Sequence, residues 1–211
     1  METMMFATKG NLILAKNTLR LSKQGYELLD KKRTILVNEM MSLMGKADAL
    51  QKKIDSTFRE AYEALQQANI TEGIMHVKQL SRAVPVHNEM RIKMRSVMGV
   101  EIPQVDVHGE YAKPTYGFMG TSMKLDKAKQ HFDDVRILTE QMAEVENAIY
   151  RLATNIKKTQ RRANALKNII IPRYEAIVTD ITNVLEEKER EEFTRLKVVK
   201  RNKLKKKKSI S

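Results

Sequence analysis

The chain has 211 residues, enough for one or two ordinary domains, but only 5% are aromatic and none is Trp, which is thin material for a large core and suits helices meeting along a narrow seam. The absence of cysteine excludes disulfides, Cys–zinc sites and thiol catalysis, and with no run near ~20 apolar residues and no secretory signal the chain reads as soluble and intracellular. The net charge is +13, of which residues 195–211 supply nine, leaving +4 for everything before them: a solvated, mixed surface rather than a nucleic-acid-binding face.

The first segment, residues 1–68, carries one long apolar repeat. Leu12, Ala15, Leu19, Tyr26, Leu29, Leu36, Met40, Leu43, Ala47, Leu50 and Ile54 all fall on a or d positions of a heptad, with Ser22 and Arg33 as polar exceptions. A mean spacing of about 3.5 residues held this long predicts a left-handed coiled coil. Leu21, Leu28 and Ile35 add a weaker stripe at position c, which a two-stranded coil does not need. They predict that this end touches something else.

The middle, residues 69–121, differs in kind. It holds Pro85, Pro103 and Pro114 with Gly99, Gly109, Gly117 and Gly120, whereas the flanking segments are almost free of breakers. A short helix from Thr71 should stop at Pro85. Met90, Ile92 and Met94 then alternate with Arg91, Lys93 and Arg95, and Val100, Ile102, Val105 and Val107 follow Gly99. This predicts a β-hairpin near residues 88–107 with an irregular turn, then a loop. A lone hairpin is marginal in water, so it should rest on the coil or on a partner.

In the last segment, residues 122–211, Val135, Met142, Ile149, Ile156, Ala163, Ile170, Ile177 and Val184 recur every seven residues, with Leu138, Val145, Leu152 and Leu166 at d. An ordinary helical bundle is the alternative, but its stripe would be broader and its helices shorter. Two such segments joined by a middle region imply an antiparallel hairpin of helices, each about 90 Å long for 60 residues. The predicted fold is therefore all-α dominated: a long antiparallel left-handed two-helix coiled coil, with a short helix and a β-hairpin in its middle.

Pro172 interrupts this pattern. A proline inside a helix removes a hydrogen bond and crowds the preceding turn, at roughly 3 kcal/mol or more. The core spacing also changes there, because Leu166 to Ile170 and Ile170 to Tyr174 are consecutive steps of four, a stutter that unwinds the supercoil. The expectation is a change of pitch with the stripe continuing. The simpler alternative is a helix end at Ile171.

Catalytic and metal chemistry find no support. "MGKADA" at residues 44–49 has a Gly-Lys pair but lacks the upstream glycine and the hydroxyl of a phosphate loop. His76, His87, His108 and His131 are scattered without carboxylates at metal-ligand spacing. No catalytic residue, cofactor site or metal site is expected. The basic tail has three readings: nucleic-acid binding, contact with an anionic membrane, or a solvated helix end favoured by the macrodipole.

Two motifs carry a resemblance. Arg161, Arg162, Asn164, Ala165 and Leu166, followed by Ile171 and Pro172, form an R-R-x-N-A-L…I-P pattern, and Leu19, Gly25, Leu28, Leu29, Lys32 and Arg33 match a second, N-terminal one. In these and in its ending "EEKEREEFTRLKVVKRNK" the chain resembles the D subunit of the V-type (vacuolar/archaeal-type) rotary ATPases. The resemblance spans nearly the whole length, least distinctly at residues 85–120. It implies a non-catalytic central rotor shaft, transmitting torque between a nucleotide-hydrolysing hexamer and an ion-translocating membrane ring. The implied partners are the F subunit of the central stalk, the hexamer of catalytic and non-catalytic subunits, and a funnel-shaped subunit joining the ring. The place is the cytoplasmic face of the membrane, without insertion and without nucleic acid. Expected partner contacts are Arg161 (position f), Asn164 (b) and Arg162 (g), Arg195, Lys197, Lys200 and Arg201 in the tail, and Met90, Ile92 and Met94 in the hairpin. Without the resemblance, the alternatives are a static coiled-coil adaptor or spacer, and a coiled coil that binds nucleic acid through its tail.

Overall fold

The computed structural model describes residues 6–84, 91–106, 116–117 and 119–208, with side chains to residue 203. In chain order these form α1 (Lys9–Glu72), α2 (Ile74–Ser81), β1 (Arg91–Val97), β2 (Val100–Asp106), α3 (Met123–Ala165), a π-helical turn (Leu166–Ile170) and α4 (Ile171–Lys208). The helix-dominated fold with a middle hairpin is as expected. Met90 and Val107, at the two ends of the expected hairpin, lie outside the described residues.

Helix α1 contains no proline and runs for 64 residues. Thr8 caps it, its Oγ1 accepting the Asn11 N–H at 3.2 Å. Gly73, at φ +89°, ends it. Only glycine adopts that conformation without steric cost, so the first helix stops there rather than at residue 68, and α2 starts one residue later.

Residues 1–32 with 158–211 make one compact unit, and residues 33–157 make another. In the first unit the two helical segments run antiparallel, as exposed ion pairs show: Lys9 to Glu189 at 2.9 Å and Lys23 to Glu175 at 2.7 Å. Their seam buries small or polar side chains, Ala15, Ser22, Thr159 and Ala163, together with Ile181. The larger seam residues Leu12, Leu19, Tyr26, Leu29, Leu166 and Ile170 are only half-buried, because two helices alone cannot enclose them. Gly25 lies against Leu166: a Cβ at residue 25 would stand 3.8 Å from its Cδ1.

The π turn answers the Pro172 question. The Ile171 N–H donates to the Leu166 carbonyl five residues back, which widens the helix by one residue just before the proline. Pro172 has no N–H to donate, and its ring would otherwise press on the carbonyl of Asn168. Helix therefore continues through Ile171, and the expected change of pitch takes the form of an inserted residue in the preceding turn.

The second unit has a third layer. The hairpin lies on the helices, and Val100 and Ile102 join Leu36, Ala148 and Leu152 in one buried cluster flanked by Met40, Leu43, Val97 and Ile156. Leu36 and Leu152 are fully buried. Ala148 is off the predicted heptad stripe; it is buried because the hairpin covers the flank of α3. A second cluster of Ala68, Val77, Tyr116 and Leu125 closes the end where α1 stops and α3 begins. There the Ser122 N–H donates to Glu72 Oε1 at 2.5 Å, which places a carboxylate at the N-terminus of α3, where the macrodipole favours it. The Tyr116 hydroxyl donates to Asp126 at 2.7 Å in the first turn of α3. Burial, then that hydrogen bond, push the Tyr116 pKa well above the usual tyrosine value.

Candidate partner interface

The residues singled out in the sequence fall on three separate surfaces. Arg161, Arg162 and Asn164 stand exposed in the last turns of α3, immediately before the π turn. Asn164 accepts a hydrogen bond from Gln160 through its Oδ1, at 2.7 Å. Arg195, Lys197, Lys200 and Arg201 are exposed on α4. Of these, Arg195 reaches Glu191 at 4.0 Å, an exposed i,i+4 pair of the kind that contributes under ~1 kcal/mol. Both groups belong to the first unit, whereas Ile92 and Met94 stand on the hairpin in the second. Met90, the third hairpin residue, lies outside the described residues.

The hairpin geometry follows from its turn. Val97 pairs with Val100 across Met98 and Gly99, both at positive φ, +50° and +75°. This is a tight two-residue turn, not the irregular one expected, and its backbone twist matches that of the flanking strands. Antiparallel pairing puts opposed residues on one face. Arg91, Lys93, Arg95 and Val97 thus share a face with Val100 and Ile102, the face that meets the helices. Ile92 and Met94 share the other with Pro103 and Val105. They point away from the core and are 57% and 56% exposed. Of the two placements expected for these residues, coil or partner, only the outward one remains within this unit. Lys93 pairs with Asp106, and Arg95 reaches Glu39 at 3.7 Å.

A fourth surface was only partly legible. Leu21 and Leu28 of the c stripe are exposed, and so is Leu14, one heptad earlier, all between 58% and 67%. Leu14 continues the same seven-residue spacing, and that spacing was the signal that finds it. Glu144 and Arg151, which hold the hairpin from α3, had no such signal. Their contacts are 39 and 50 residues away in sequence.

Among the described residues, none of these surfaces gathers a nucleophile with a base. Among the described residues no group of three or more His, Asp or Glu side chains is placed to hold a metal ion, and no helix is long and apolar enough to cross a membrane. What the surfaces offer is exposed cation and exposed apolar side chain on rigid elements, which is the chemistry of protein contacts.

Comparison with known proteins agrees over almost the whole length. The model of the ATP synthase D-subunit family matches residues 11–201. The D subunit of the V-type ATP synthase of Thermotoga neapolitana is 42% identical over 193 residues, covering 92% of this chain and 95% of that protein. The D subunits of the A-type ATP synthases of Thermococcus sibiricus and Thermococcus kodakarensis are 37% and 38% identical over 196 residues, covering 92% of this chain and of each relative.

Proposed function

The chain belongs to the ATP synthase D-subunit family, and from that premise we propose that it is the central rotor shaft of a V-type or A-type ATPase/ATP synthase. The observation that carries this reading is the match over residues 11–201, which takes in the hairpin, all of α3 and most of α1 and α4. The shaft hydrolyses no nucleotide. It couples nucleotide-driven closures of a surrounding hexamer to rotation of a membrane ring, or the reverse, on the cytoplasmic face of the membrane.

Its partners are then the hexamer, the F subunit and the funnel-shaped subunit above the ring. The exposed residues divide among them. Arg161, Arg162, Asn164 and the tail cations Arg195, Lys197, Lys200 and Arg201 face the hexamer. A shaft that turns needs shallow contacts, and exposed charges supply attraction without interlocking. The attraction is screened over about 8 Å at physiological ionic strength, so no single pair has to persist. Ile92 and Met94, with Met90, meet the F subunit.

The test is co-purification. The tagged chain should retain a nucleotide-hydrolysing hexamer and the F subunit, and truncation after residue 202 should weaken hexamer retention and flatten its salt dependence. A chain that retains neither partner under conditions where the hexamer itself assembles would refute the reading.

A further inference from the structure

The two edges of the hairpin are not alike. With Val97 and Val100 as the hydrogen-bonded pair next to the turn, every second residue of each strand directs its N–H and C=O outward. On β2 those residues are Glu101, Pro103 and Val105. Each has one of its two outward groups taken up or missing: the Glu101 carbonyl accepts from Arg151 at 3.2 Å, Pro103 has no N–H, and the Val105 N–H donates to Glu144 at 2.8 Å. On β1 they are Ile92, Met94 and Ser96. These stand exposed, and among the described residues no hydrogen bond reaches their outward N–H or C=O groups.

An open edge of this kind is a template for another strand, and proteins normally blunt it. Here one edge is blunted by three different devices and the other by none except charge. Arg91, Lys93 and Arg95 line one face of β1, the latter two well exposed despite their ion pairs. Three cations repel a second copy of the same strand and select one that carries carboxylates. On the opposite face Ile92 and Met94 call for apolar neighbours.

We propose that β1 takes up an edge strand of the F subunit, acidic on the face beside Arg91, Lys93 and Arg95 and apolar on the face beside Ile92 and Met94, extending the sheet to three strands. This deepens the reading of the hairpin as the F-subunit contact and rests on it. The outward groups of Ile92, Met94 and Ser96 supply the new ladder, and the apolar side chains of the added strand stand beside Ile92 and Met94 on the same face.

The experiment uses the full chain and purified F subunit. Backbone hydrogen exchange is read by NMR for the chain alone and in the binary complex. The amides of Ile92, Met94 and Ser96 should slow at least about tenfold on binding, the size expected when a hydrogen bond worth about 1.4 kcal/mol forms. Two variants separate edge from face. Met94→Pro removes an outward N–H and keeps the β1–β2 ladder, since proline is tolerated at such an edge position. Met94→Thr removes the apolar side chain and keeps the N–H. Affinity for the F subunit should fall about tenfold or more for Met94→Pro and by less than about threefold for Met94→Thr. Equal losses with no gain in amide protection would leave the hairpin as a contact but overturn strand addition. Unchanged exchange and unchanged affinity in both variants would overturn strand addition and the F-subunit assignment together. The exchange readout on the unmodified chain decides even if Met94→Pro fails to fold.

Discussion

The two units build the same heptad seam and reach different degrees of closure. In residues 33–157 the hairpin lies over the helices, and large side chains such as Leu36 and Leu152 disappear completely from solvent. In residues 1–32 with 158–211 there is no third layer among the described residues, and complete burial is reached mainly by small or polar side chains such as Ala15, Ser22, Thr159 and Ala163. Two helices share a line of contact; a third element turns that line into a core. Stability should therefore concentrate in the second unit. The first should owe its stability to helix continuity, its small buried seam residues and exposed ion pairs.

The sharpest test of that contrast compares one leucine from each seam. Leu152→Ala should cost about 3 kcal/mol, because it removes fully buried methyl groups and leaves a cavity under the hairpin. Leu19→Ala should cost about 1 kcal/mol, since that side chain is half-exposed and its site can collapse. Urea unfolding of the two variants measures the difference; equal costs would break the comparison.

A smaller effect belongs to the π turn. Pro172→Ala restores a helical N–H and removes the ring from beside the Asn168 carbonyl. It should raise stability by about 1 kcal/mol, less than the full cost of a helix-interior proline because the π turn already relieves the crowding. Hydrogen exchange across residues 168–175 should slow in parallel. If the variant is destabilised instead, the π turn is maintained by packing against α1 and not by the proline.

Gly25→Ala should stabilise the first unit by about 0.5 to 1 kcal/mol. Alanine is the better helix former, and a methyl group 3.8 Å from Leu166 is in ordinary contact. A loss of stability on thermal unfolding would show that the helices approach more closely there than two-helix packing requires.

The subtlest effect is one of pH dependence and belongs to Tyr116→Phe in the second unit. The folded state raises the Tyr116 pKa through burial and its hydrogen bond to Asp126. Above the unfolded value of about 10, the unfolded chain loses this proton while the folded chain keeps it, so stability falls as pH rises from there. Tyr116→Phe should lessen that alkaline loss. An unfolding midpoint with the same slope above pH 10 in both proteins would remove Tyr116 as its source.

Much of this was legible beforehand because it is periodic. A helix repeats every 3.6 residues and a strand every two, so Leu36, Leu152 and Ala163 declared a helical seam, and Ile92 and Met94 declared one strand face. The surfaces holding Arg161, Arg195 and Ile92 were read from motif and alternation, and the structure leaves them exposed. Gly73 and Gly99 were visible as breakers, but which conformation each adopts was not. The residue spacing around Pro172 announced a discontinuity without revealing that the chain would solve it with a π turn.

By itself the sequence determined the two long helices, the hairpin between them, the basic ending and the family, since each rests on local spacing or on matching residues along the chain. The tertiary structure alone decided that Ala148 is buried, that Tyr116 meets Asp126, and that Glu144 and Arg151 take up outward groups on one edge of the hairpin while, among the described residues, no hydrogen bond reaches those of the other. Those outcomes depend on which residues distant in sequence come within hydrogen-bonding or van der Waals reach. No periodicity encodes that, because contact between elements is set by where whole helices and strands come to lie.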